Sequence, residues 1–79
     1  MSDHGNMRLL VTGGSGFIGT NLVEYYLQLG VPLINLDWNA PLNPAHQGHW
    51  RQCDIMDTHA LRKGFEEFAP THVVHPGNE

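Results

Sequence analysis

Cysteine occurs once in the 79 residues, at Cys53. No internal disulfide can form, and a reducing compartment is the corresponding expectation. Positive charge is scarce too: 4 Lys and Arg stand against 8 Asp and Glu, for a formal net charge of −4. That balance argues against nucleic acid or an anionic membrane surface as partner. The longest unbroken apolar run is three residues, far short of a membrane span. The opening residues, Met1–Met7, are polar and include Asp3 and His4, unlike a signal or transit peptide. By elimination the chain reads as soluble and cytoplasmic. Length sets a further bound, because a single core of this size rarely supplies more than about 3–5 kcal/mol. The expectation is marginal stability, or reliance on a partner or on further sequence.

Against these absences stands an ordered alternation of apolar segments. Leu9, Leu10 and Val11 form a short continuous run, the pattern of a strand buried on both faces. After a glycine-rich turn, Phe17–Leu29 carries Ile18, Leu22, Tyr25 or Tyr26, and Leu29 at helical spacing. Gly30 stands where a helix ends in the left-handed conformation, and Pro32 prevents resumption. Val31–Leu36 reads as a second strand ending at Asp37.

Pro41 and Pro44 make Asn39–Gln47 a loop, and His49–Gln52 is a weak third strand. Asp57 or Thr58 caps a second helix running to about Ala69, with Leu61, Phe65 and Phe68 on its apolar face. Gly64 weakens that helix by about 1 kcal/mol relative to alanine. Pro70 ends it, and His72–His75 begins a fourth strand. Strand, helix, strand, strand, helix, strand with short connections is the first half of a doubly wound parallel sheet of Rossmann type. Met1–Met7 is then a polar leader, and residues 8–79 a partial domain truncated in or after its fourth strand.

The turn between the first strand and helix reads T-G-G-S-G-F-I-G over Thr12–Gly19. Gly13 takes the tight turn, Gly16 lets backbone approach a phosphate, and Gly19 permits close helix–strand packing. The backbone amides and the positive end of the helix dipole then favour a pyrophosphate. Asp37 closes the second strand, placing a carboxylate beside the turn, since parallel strands lie about 4.8 Å apart. A carboxylate there accepts the hydroxyls of an adenosine ribose and repels a 2′-phosphate. No Arg or Lys occurs between Asp37 and Trp50 to neutralise one, so NAD is favoured over NADP.

T-G-G-S-G-F-I-G, with Asp37 after the second strand and Asp54–Ile55 after the third, resembles the extended short-chain dehydrogenase/reductase family. The family comprises NAD-dependent epimerases and dehydratases, many acting on nucleotide sugars. The resemblance runs from about Arg8 to His75 and implies a cofactor set of Gly13, Gly16, Phe17, Ile18, Gly19, Asp37, Asp54 and Ile55. Asp54 and Ile55 inherit an adenine contact by position; a capping loop with a buried isoleucine is the other reading.

Two features depart from the family pattern. His75 is followed by Pro76–Gly77–Asn78–Glu79, where the family continues with leucine and small residues. A single inserted C would convert codons for His-Leu-Gly-Thr-Arg into this ending. The family's tyrosine four residues before a lysine is also missing: Lys63 is preceded by His59, and Tyr25 and Tyr26 by the same step lead to Leu29 and Gly30. No catalytic residue is therefore assigned, and catalysis is expected to need a carboxy-terminal half or another chain.

Other chemistries are less well matched. His46, His49 and Cys53 have metal-ligand spacing but no evident fourth ligand, and a surface histidine pair with a buried thiol is preferred. His72 and His75 fall on opposite faces of a strand. No Gly-Lys-Ser/Thr follows the glycines, which excludes a P-loop. Trp38 either flanks an adenine or covers the sheet edge. A non-catalytic NAD-sensing protein of the same fold stays open. A methyltransferase-like site is disfavoured because S-adenosylmethionine has no pyrophosphate.

Overall fold

In the computed structural model, which describes residues 6–76, four parallel strands are flanked by one α-helix on each face. Most of the expected leader and the last three residues, Gly77–Glu79, fall outside that span. Met7, assigned to the leader by sequence, packs against the core.

The elements are β1 (Leu9–Thr12), α1 (Phe17–Gln28), β2 (Leu33–Asp37), β3 (Trp50–Gln52), α2 (Thr58–Phe68) and β4 (His72–Val74). The sheet order is β3-β2-β1-β4, all parallel, with Leu9 opposite both Leu33 and His72. Strand alternation splits the core in two. Leu9, Val11 and Leu33 meet Val23 and Val31 on the α1 face. Leu10 and Leu36 meet Cys53 on the other, with Leu61, Phe65 and Phe68 of α2 packed against them. Fully burying one such aliphatic side chain contributes about 1.5–3 kcal/mol.

Four local expectations change. The buried line of α1 is Gly19 and Val23, supported by Leu22, Tyr26 and Leu27, whereas Ile18, Tyr25 and Leu29 are exposed. The helix is rotated because Gly19 must face the turn, and Gly19 carries no hydrophobic signal. The supposed loop contains a 3₁₀ helix, Pro44–His49, so His49 is not in β3. Asn43 caps it by accepting from Ala45 N (2.9 Å), and Pro44 supplies the fixed φ of a first helical residue.

β2 starts at Leu33, two residues late, because Val31 N still donates to Tyr26 O at the end of α1 (3.1 Å). Gly64 is not merely a weak helix former. A Cβ there would lie 2.9 Å from Leu36 Cδ1, so the glycine lets α2 settle onto the sheet. Asp57 caps α2 by accepting from His59 N and Ala60 N, both at 3.1 Å. Ala69 ends it at φ 53, a left-handed conformation that glycine usually takes. Arg8 secures the same end: its guanidinium donates to Phe68 O (2.7 and 3.1 Å) and lies 4.4 Å from the Phe68 ring centroid.

Candidate functional site

β1 and β2 deliver the glycine turn and Asp37 to the same end of the sheet. Gly13 leaves β1 at φ 76, and its N–H donates to Leu36 O (3.0 Å), binding the turn to β2. Gly16 is the N-cap of α1 and, having no side chain, provides no side-chain cap. Gly19 faces back onto the turn. A Cβ there would lie 2.6 Å from Gly13 O and Gly14 Cα, so only hydrogen fits.

Asp37 joins this turn directly. Its Oδ2 accepts from Ser15 N and its Oδ1 from Asn39 N, each at 2.9 Å. Its carbonyl accepts from Trp50 Nε1 (2.8 Å) and Cys53 N (3.1 Å), so β3 fixes the backbone that carries the acid. Asp37 is half-buried, and each of its oxygens, with one bond accepted, keeps acceptor capacity. Phe17 and Ile18, at the start of α1, point outward and are 81% and 54% exposed.

Asp54 and Ile55 occupy the tight turn that leaves β3. Asp54 Oδ1 accepts from Met56 N (2.9 Å) and its carbonyl from Asp57 N (2.8 Å). Ile55 is exposed, so the capping-loop alternative with a buried isoleucine does not describe it. Trp38 is also exposed, and its carbonyl accepts from Gln52 Nε2 (3.2 Å), which joins the ends of β2 and β3.

Sequence reasoning missed Asn35, Ser15, Thr12 and His75. Asn35 is buried, and its Oδ1 accepts from Gly14 N (2.8 Å). Thr12 Oγ1 lies 2.7 Å from His75 Nδ1, tying the end of β1 to the residue that follows β4. A polar residue in an otherwise apolar strand was the available signal for Asn35, since buried amides require partners.

The expected surface histidine pair is not one. His46 is 2% exposed and its Nε2 lies 2.8 Å from Glu24 Oε1 of α1, whereas His49 is exposed. This bond, aided by Gln28, holds the Glu24 carboxyl below the usual glutamate value. Burial, with Asp57 and Asp54 nearby, pushes the Cys53 thiol up, so it stays protonated and a poor nucleophile.

A parallel sheet with a glycine turn after its central strand and an acid ending the adjacent one defines a Rossmann-type nucleotide-binding unit. More narrowly, the chain belongs to the NAD dependent epimerase/dehydratase family, whose profile matches residues 9–79. The resemblance carried by the glycine motif is thereby borne out.

The chain is 35% identical over 78 residues to a probable dTDP-glucose 4,6-dehydratase of Sinorhizobium fredii, covering 87% of this chain and 22% of that one. It superposes on the UDP-glucose 4-epimerase of Thermus thermophilus in complex with NAD, with a TM-score of 0.78 and 38% identity, across 92% of this chain and 24% of that one. The Bordetella bronchiseptica enzyme WbmG in complex with NAD gives a TM-score of 0.80 at 33% identity, covering 100% of this chain and 27% of that one. The chain thus spans about a quarter of the length of these relatives. Among the described residues, no helix is long and apolar enough to cross a membrane.

Proposed function

We propose that this chain binds NAD and constitutes the cofactor-holding part of an epimerase, dehydratase or reductase acting on a nucleotide sugar. The residues fit the cofactor. Gly13, Gly16 and Gly19 form a turn without side chains at the start of α1, where backbone dipoles favour a pyrophosphate. Asp37 would accept the adenosine ribose hydroxyls, and its negative charge would discriminate against a 2′-phosphate. Asp54 and Ile55 would hold the adenine, and Phe17 and Ile18, at the start of α1, would complete the cofactor set. When bound, NAD supplies hydride acceptance and return at a sugar carbon.

The observation that carries this reading is the hydrogen bond from Ser15 N to Asp37 Oδ2, which joins the strand-end acid to the glycine turn. The two groups are mutually held before any ligand arrives, as a dinucleotide site requires. No tyrosine precedes a lysine by four residues in this sequence, so proton transfer is assigned to residues outside it. That absence equally suits a non-catalytic NAD sensor. Turnover after joining a family carboxy-terminal half would favour the enzyme reading, and its lack the sensor.

Calorimetric titration of the folded chain with NAD, NADP and S-adenosylmethionine tests the proposal. NAD should bind tightest, and Asp37→Ala should weaken it about tenfold or more, as loss of hydrogen bonds to a charged group does. Folded protein giving no heat with NAD or ADP-ribose, or preferring S-adenosylmethionine, would overturn it.

A further inference from the structure

Alternation along β2 places Leu33, Asn35 and Asp37 on one face of the strand. Leu33 packs in the α1-side core, and the two polar residues that follow reach the glycine turn instead. Asn35 is 2% exposed, and a leucine or valine would fill a buried strand position without polar demands. Both ends of its amide bond the turn. Oδ1 accepts from Gly14 N at 2.8 Å and Nδ2 donates to Ser15 Oγ at 3.1 Å.

The chain of bonds does not stop there. Ser15 Oγ donates its single hydrogen to Asn39 O at 2.8 Å, which is why it must accept from Asn35. Asn39 N donates to Asp37 Oδ1, and Ser15 N donates to Asp37 Oδ2. Ser15, Asn39 and Asp37 therefore close a ring between the turn after β1 and the loop after β2, and Asn35 braces it from beneath through Ser15 Oγ and Gly14 N. Gly14 permits the close approach: a Cβ there would sit 2.7 Å from the Asn35 amide. Ser15 is also buried, so the hydroxyl bridge is shielded from competing water.

We propose that Asn35 and Ser15 are positioning residues that lock the phosphate turn to the ribose loop, so that the two ends of an ADP-ribosyl ligand bind cooperatively. The inference rests on the cofactor reading above. Neither side chain touches the ligand in this assignment; each acts through the spacing of Gly14 and Asp37. A ligand that spans both loops gains from their fixed separation, whereas one that meets a single loop does not. The glycine motif alone makes a turn. The buried bridge makes that turn and the acid a single receptor.

The test is titration of the intact 79-residue chain with ADP-ribose and, separately, with adenosine, followed by amide chemical shifts. Ser15→Ala removes the hydroxyl bridge and keeps the backbone bond to Asp37, and Asn35→Leu removes both side-chain links to the turn. In either variant ADP-ribose should weaken about tenfold while adenosine changes less than about twofold. A merely structural role would lower both by the same factor, and that result, or an unchanged affinity for ADP-ribose, overturns the proposal. If Asn35→Leu fails to fold, Ser15→Ala decides the question alone. A wild-type chain that binds neither probe overturns the cofactor reading and this inference with it. A wild-type chain that binds both, with variants that lose both equally, overturns the coupling only.

Discussion

At Gly19 the fold has room for a hydrogen atom and nothing more. A methyl group would press on the Gly13 carbonyl oxygen and Gly14 Cα at 2.6 Å, and backbone atoms have no rotamer with which to yield. Gly19→Ala should destabilise the chain by about 1–3 kcal/mol, the usual range for overpacking. Thermal melting measures it, and an unchanged midpoint would refute the close approach. Gly64 behaves differently, because its neighbour is the tip of Leu36. Alanine there gains about 1 kcal/mol of helix propensity and loses a comparable amount to displacement of Leu36. Gly64→Ala should therefore leave the melting midpoint nearly unchanged, and a clear rise would show that Leu36 moves freely.

Residues whose constraint is local were legible in the sequence. Gly13 and Gly19 are required by the turn itself, and Asp37 by its place at a strand end. Asn35 and His46 were not, because their partners Gly14, Ser15 and Glu24 lie some twenty residues away in sequence.

Among elements, α2 was the more transparent helix and α1 the less. The cap of α2 is a side chain, Asp57, accepting from two amides, and its apolar face is marked by large residues. Asp57→Ala should cost about 1 kcal/mol, read as a lower midpoint in urea denaturation. The face of α1 is set by Gly19, so counting hydrophobic residues pointed the helix wrongly, toward Ile18 and Leu29.

The same helix carries Glu24, to which His46 anchors the 3₁₀ segment that precedes β3. Glu24 is depressed in the fold by that bond first and by Gln28 second. A group lowered on folding adds stability above its unfolded value and loses it as pH falls through the folded one. The anchor should therefore hold at neutral pH and weaken only in acid, as pH falls below the ordinary glutamate value of 4.5 and through the lowered one. Tryptophan fluorescence of Trp38 and Trp50 during acid titration should report it, with Glu24→Gln flattening the change. The effect should be small, since Glu24 is substantially exposed and screened by solvent.

For the molecule as a whole, strand number and parallel sense followed from apolar runs, short connections and the right-handed crossover rule. The 3₁₀ helix did not, because Asn43-Pro44 signals a turn and only the buried contact of His46 makes it continue. A small two-faced core should respond strongly to any ligand that binds only the folded state. At one hundred times its Kd, NAD should add about 2.7 kcal/mol of stability. A thermal shift of several degrees with NAD, and none with nicotinamide alone, is the expected outcome.

The central position of β1 also bears on the order in which the structure forms. Leu9–Val11 are synthesised more than sixty residues ahead of His72–Val74, which match one side of that strand. Loop closure over such a separation is slow, and nascent chains carry the exposed edge until it is complete. Until β4 follows, the β1–α1–β2 unit carries an unpaired strand flank, an edge open to pairing with any extended segment.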